Sequence, residues 1–306
     1  MLDVHTKHAA PAHDEKEPTE QFFQNLLVAY DSSEASKAAL QYAMAFAQTF
    51  NSLVTVVFVQ PPSDFAVAIE GGFSRMKESY RQIADELELV AQNLSAQGIR
   101  NRVMQRTGTV ADVLVQLAAA DQADLLFLGA FGHKKDLPRL GSTAEYMLRS
   151  MPCAVLTVGP NVIFTRRDVP TVRMLLYASS LPARTGRAGE FVKALAQTYE
   201  AQVEIIHGVF SPRGAQDHQL YTAKVAADAE AAEKIRQRLE ADGIHTTWRF
   251  VSSLDSQGIV ERSREIHADL IVFGIEHHHM NPTVMGMISA TIQEAECPVL
   301  TIPGPA

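Results

Sequence analysis

The chain has 306 residues, a length for two ordinary domains or one large one. Apolar residues make up 46% and charged residues 20%, and 17 glycines and 14 prolines are spread without period, which excludes a disordered, fibrous or low-complexity chain. A net charge of −8 argues against sequence-independent binding to nucleic acid or anionic membrane, which needs a basic face.

Residues 1–20 are polar, hold Pro11 and Pro18, and show no apolar periodicity; they are expected to form a flexible tail. They also lack the apolar stretch of a secretory signal, and no uncharged apolar run reaches about 18 residues. A cytoplasmic protein with no membrane insertion is expected. Two cysteines, Cys153 and Cys297, are too few for a disulfide framework or a thiolate metal site; buried small hydrophobes are the expectation.

Leu26–Tyr30 is a short apolar run ended by Asp31-Ser32-Ser33-Glu34, the pattern of a strand buried on both faces. Ser32 or Ser33 then caps a helix whose apolar positions run from Ala35 to Phe50. Leu53–Val59 predicts a second strand. Met76–Gln97 predicts a long amphipathic helix closed by Gly98. Arg102–Gln105 is a short strand, Val110–Ala120 a helix, Asp124–Gly129 a buried strand, Thr143–Met151 a helix and Ala154–Val158 a last strand. Strands alternating with helices mean a parallel sheet covered on both faces.

The pattern is then written again. Leu26–Tyr30 is echoed by Leu175–Ser179, Ala123–Gly129 by Ala268–Gly274, and Cys153–Thr157 by Cys297–Thr301. Order is kept with few insertions, so the chain is a tandem duplication. The expected fold is α/β: two doubly wound, parallel, five-stranded sheets, Rossmann-like. The expected division is residues 21–160, a linker at 161–170, and residues 171–306.

In such sheets ligands bind beyond the carboxyl ends of the strands, where strand order reverses. Two loops of the first half lie there: Asp31-Ser32-Ser33, and Gly129-Ala130-Phe131-Gly132 with Gly141-Ser142-Thr143 opening a helix. Glycines permit close backbone approach to an anion, and a helix N-terminus offers free N–H groups. His133, Lys134, Lys135 and Arg139 add positive charge between them.

With these motifs in this order, the chain resembles the universal stress protein family in its tandem form. Val28-Ala29-Tyr30-Asp31-Ser32-Ser33 resembles that family's V-A-x-D-x-S opening, and Gly129-x-x-Gly132 followed by Gly141-Ser142 resembles its G-x2-G-x9-G-[ST] motif. Glu145–Arg149 and Cys153–Val158 resemble the helix and strand that follow. The resemblance implies ATP as ligand, with or without Mg. Asp31 and backbone at Val59 would contact the nucleoside, and Gly129, Gly132, Gly141, Ser142 and Thr143 the phosphates. It also implies pairing of Ala154–Val158 with Val299–Ile302 at a pseudo-two-fold axis, an intramolecular pseudo-dimer; further pairing of two chains is left open. Two departures stand out: the spacer after Gly132 is eight residues rather than nine, and Ser32 occupies a place where the family often has Gly.

In the second half Gly132, Ser142 and Asp31 are replaced by His277, Met287 and Ser180, so a standard ATP site is not expected there. His277-His278-His279 and the tail residues His5, His8 and His13 lack metal-ligand spacing, and no metal is expected. His207 reads as a packed or pocket-edge residue. No nucleophile elbow, H-E-x-x-H or Walker lysine loop is present, so no catalytic residue is assigned. The leading reading is a stress-response regulator that binds ATP as a conformational ligand and hydrolyses it slowly at most. The alternative is a scaffold, or a regulator binding another small ligand, on the same fold. An adenylating ligase would need an S-G-G-x-D loop where Tyr30-Asp31-Ser32-Ser33 stands.

Overall fold

The structure, a computed structural model, describes residues 22–61, 73–132, 140–162, 171–179, 187–208, 215–251, 254–275 and 281–304. The tail at 1–20, most of the linker, Ser180, the cationic loop from His133 to Arg139 and His277–His279 therefore lie outside the described residues.

The first half runs β1 (Asn25–Ala29), α1 (Glu34–Phe50), β2 (Leu53–Gln60), α2 (Phe73–Ala96), β3 (Arg100–Thr107), α3 (Val110–Ala120), β4 (Leu125–Gly129), α4 (Ser142–Ser150) and β5 (Ala154–Val158). The second runs β6 (Met174–Ala178), α5 (Arg187–Tyr199), β7 (Gln202–Gly208), α6 (Ala215–Ala241), β8 (Thr246–Val251), α7 (Ser256–Glu265), β9 (Leu270–Ile275), α8 (Pro282–Glu294) and β10 (Val299–Pro303). The strand expected over Arg102–Gln105 spans eight residues instead. It pairs along the whole of β2 at the sheet edge, where polar side chains stay partly in water and give no apolar signature.

Each half is a parallel sheet of order β3-β2-β1-β4-β5 or its counterpart β8-β7-β6-β9-β10. The halves do not stay separate sheets. β5 and β10 pair antiparallel, with Leu156 opposite Leu300, and make one sheet of ten strands. Successive residues of a strand point to opposite faces. Leu26 and Val28 thus enter one core, while Leu27 enters the other. The first core is roofed by α1, α2, α5 and α6, the second by α3, α4, α7 and α8. Each core crosses the seam. Phe23 meets Phe191 edge-on at 5.2 Å, and Phe50 meets Tyr199 at 5.9 Å. Such aromatic pairs contribute about 0.5–1.5 kcal/mol each beyond the area they bury.

One echoed element of the sequence has a structural cause. The Asp124 carboxylate accepts from the backbone N–H groups of Gln24 and Asn25, at 2.8 and 2.9 Å. Asp269 does the same for Arg173 and Met174, at 2.7 and 2.9 Å. Each aspartate, just ahead of the fourth strand, ties down the entry of the first strand beside it. Burial raises the Asp124 carboxyl above its usual range, and the two N–H bonds oppose that shift.

Both cysteines are free and buried, and burial pushes each thiol up to about 12. The thiolate is the reactive form. Neither Cys153 nor Cys297 should react with a disulfide-exchange reagent at pH 8 in the native chain, and both should react in guanidinium. Rapid native labelling of either would contradict this placement. Among the described residues, no helix is long and apolar enough to cross a membrane.

Candidate functional site

Strand order reverses between β1 and β4, and a cleft of about 420 Å³ opens at the carboxyl ends of these strands. Its wall includes all seven residues singled out in the sequence: Asp31, Val59, Gly129, Gly132, Gly141, Ser142 and Thr143. The volume falls in the range of small-molecule sites, roughly 300–1,000 Å³.

The first wall is the turn after β1. Tyr30 continues the ladder, its N–H donating to Val57 O at 3.0 Å. The chain then reverses through Ser32, which has φ +66°. This left-handed conformation explains why glycine would suit the position. The Asp31 carboxylate accepts from the Ser33 N–H at 3.0 Å, and the Ser33 hydroxyl caps α1 by accepting from the Ser36 N–H at 3.2 Å. Asp31 is thereby oriented before any ligand arrives.

The second wall is the glycine loop. A Cβ on Gly132 would fall 3.0 Å from the Asp31 Oδ2, so these two residues face each other across a gap that a side chain would close. Gly129 has a different role. A Cβ there would lie 2.6 Å from the Ala35 Cβ and 2.8 Å from its backbone carbon, so this glycine lets β4 pass under the first turn of α1. Gly141 donates its own N–H to Ala130 O at 3.0 Å and occupies the cap position of α4. That position makes no side-chain capping bond. The helix N-terminus at Ser142 and Thr143 therefore borders the cleft without a side-chain cap, as an anion site requires.

Between these walls the lining is apolar: Val57, Val59, Val110, Leu114, Leu128 and Phe131. Sequence reasoning named Val59 of this set, and Phe131 only as part of the glycine loop. The others read as ordinary core residues, because strand-end and helix-start positions carry no mark that separates a pocket wall from packing. Glu86 of α2 was also missed. It accepts from the Tyr30 hydroxyl at 2.6 Å and from the Ser32 hydroxyl at 2.7 Å. A carboxylate on an amphipathic helix looks like any solvated one until the fold places it. Burial and this bond to Glu86 raise the Tyr30 hydroxyl above its usual range.

The second half departs from this arrangement in two further ways. Gly286 corresponds to Gly141 by spacing, yet it lies inside α8, which begins four residues earlier at Pro282. The α8 N-terminus is capped by Asn281, whose Oδ1 accepts from the Val284 N–H at 3.0 Å, and Pro282 has no N–H to offer. At the position of Val59 stands Gly208, and a Cβ there would lie 2.5 Å from the Leu254 Cβ. Leu254 thus covers the end of β7. His207 is buried just before it, with Nδ1 2.8 Å from Ser179 O and Nε2 3.2 Å from the Asp228 carboxylate, which also accepts from Lys224 at 3.0 Å. This is an internal polar cluster. Among the described residues, no group of three His, Cys, Asp or Glu side chains is placed to hold a metal.

The universal stress protein family model matches the chain twice, over residues 22–159 and 173–303. A universal stress protein encoded in the QAH/OAS sulfhydrylase 3′ region of Thermus aquaticus is 29% identical over 140 residues, which is 44% of this chain and 98% of that protein. The universal stress protein Sll1388 of Synechocystis is 29% identical over 148 residues, 44% of this chain and 96% of that one. Among solved structures, a universal stress protein from Archaeoglobus fulgidus superposes with a TM-score of 0.69 at 20% identity, covering 92% of this chain and 98% of that one. A functionally unknown protein from Pseudomonas aeruginosa PAO1 superposes at 0.64 and 17% identity, covering 94% and 95%. The structural likenesses concern fold alone. With both halves matched by one family model, and joined through their fifth strands into one sheet, the chain belongs to the universal stress protein family as a tandem member.

Proposed function

We propose that the first half binds ATP in the cleft between β1 and β4, as a regulatory ligand in a stress response. The observation that carries this reading is the convergence of three features on one cavity. They are the preset Asp31 carboxylate, the gap left by Gly132, and the N-terminus of α4 at Gly141, Ser142 and Thr143. The apolar wall suits a nucleobase and the helix N-terminus suits phosphates. Mg2+, when it accompanies ATP, would enter on the phosphates. Among the described lining residues the titratable side chains are Tyr30 and Asp31 alone. The Tyr30 hydroxyl is held by Glu86 outside the lining, and no His, Lys or Glu lines the described cleft, so hydrolysis is slow at most. ATP acts by favouring the conformation that holds it. The two free buried thiols suit a reducing compartment such as the cytoplasm.

One nucleotide per chain is expected, because α8 carries its own cap and Leu254 covers the end of β7. Calorimetry with ATP should give a stoichiometry near one. Mass spectrometry of denatured protein should find retained nucleotide in the native chain, and it should be lost from Gly132→Val and Asp31→Ala. The valine fills the gap beside Asp31; a loss of at least about a hundredfold in affinity is expected. If the native chain takes up no ATP and its melting temperature does not rise with ATP, a scaffold or a binder of an apolar ligand becomes the better reading. Two nucleotides per chain would show that the second half is not closed.

A further inference from the structure

We propose that Glu86 is a positioning residue of the nucleotide cleft, acting through the left-handed turn at Ser32. The proposal rests on the ATP reading of that cleft. Ser32 holds φ +66°, a conformation that is disfavoured for a residue with a Cβ. Glu86 supplies the support. Its two carboxylate oxygens are divided between the residues that flank Asp31: Oε1 accepts from the Tyr30 hydroxyl at 2.6 Å, and Oε2 from the Ser32 hydroxyl at 2.7 Å. One carboxylate on α2 thus grips both sides of the residue whose own carboxylate faces Gly132.

The consequence passes through the backbone. With Ser32 in the left-handed region, the Ser33 N–H turns back onto Asp31 Oδ1 at 3.0 Å, and Ser33 is placed to cap α1. Without Glu86, Ser32 loses the bond that offsets its backbone strain, and the turn can relax into conformations in which Asp31 no longer points at the cleft. Glycine at position 32 would need no such support, since it adopts positive φ freely. Glu86 therefore substitutes for a glycine. It supplies from another helix the constraint that a residue without a Cβ would not require. The turn therefore depends on the position of α2.

Three variants test this, read by ATP affinity and by amide exchange at Ser33 measured by NMR in the nucleotide-free chain. Glu86→Ala should weaken ATP binding about tenfold and speed exchange at Ser33 by a similar factor. Glu86→Gln should stay within about threefold of the native chain, because its amide oxygen can accept from Tyr30 and its NH2 can donate to the Ser32 hydroxyl. Adding Ser32→Gly to Glu86→Ala should restore affinity to within about threefold of native. General destabilisation by Glu86→Ala would lower the melting temperature without rescue by either change. The proposal is overturned if Glu86→Ala binds ATP as the native chain does, or if Ser32→Gly fails to rescue it. A native chain that binds no ATP overturns the proposed function and the role in binding with it. Unchanged exchange at Ser33 in Glu86→Ala separately overturns the clasp.

Discussion

Gly129→Ala is expected to lower the stability of the chain by about 3 kcal/mol, a drop of roughly 5 °C in melting temperature for a chain that unfolds as one unit. The added Cβ would sit 2.6 Å from the Ala35 Cβ and 2.8 Å from the Ala35 backbone carbon. No rotamer can relieve a backbone contact. Either α1 lifts off β4 or the strand bends, and α1 roofs the first core through Ala39, Ala43 and Phe46. Gly274→Ala should behave similarly, since its Cβ would meet that of Ala188 on α5 at 2.8 Å. Gly141→Ala should cost less than about 1 kcal/mol, because its nearest neighbour is Ala130 O at 3.1 Å. Thermal melts of the three variants, with ATP affinity measured on those that stay folded, separate the two roles within one glycine motif. The first glycine is architectural and recurs in both halves. Gly132 serves the cleft. A Gly129→Ala chain as stable as the native one would show that the helix can move aside.

Leu300→Asp is expected to destabilise the chain by about 4–5 kcal/mol or more. Leu300 and Leu156 are fully buried and opposite each other in the antiparallel seam between β10 and β5. An aspartate there loses the leucine's packing and puts a carboxylate in a sheet centre with no charge to pair it. Leu300→Ala removes packing alone and should cost about 2–5 kcal/mol. Because both cores cross the seam, the halves should unfold together in the native chain, in one transition by fluorescence and by circular dichroism. Two separated transitions would show that the seam is weaker than its burial indicates.

Much of this fold was legible in the residues. Val110–Ala120 and Ala154–Val158 have the bounds that periodicity predicts, and Gly98, at φ +72°, ends α2 as a left-handed cap. The duplication was legible because strands buried on both faces are apolar throughout, and such runs survive divergence. The candidate site was legible where it is built from backbone-permissive residues: Gly132 and Gly141, and Asp31 beside a cap. One signal was present and not used. Asn281-Pro282 is a helix start, a capping amide followed by proline at the first helical position, and it places Gly286 inside α8.

The sequence by itself determined the element types, the repeat and the loops that meet at the switch point, since each of these depends on local periodicity, caps and turns. The family resemblance already implied that the last strands of the halves meet; only the tertiary structure decided the antiparallel register that joins two five-stranded sheets into one. The apolar runs of β5 and β10 mark the edges that meet but not their register, and the pairing of Leu156 with Leu300 requires both halves to be folded. It also decided which glycine keeps a helix close and which keeps a cleft open, because that depends on the atom nearest an absent Cβ. Last, it decided that Glu86, more than fifty residues from Ser32, holds the turn that aims Asp31. A hydrogen bond across that separation leaves no period, spacing or composition behind it.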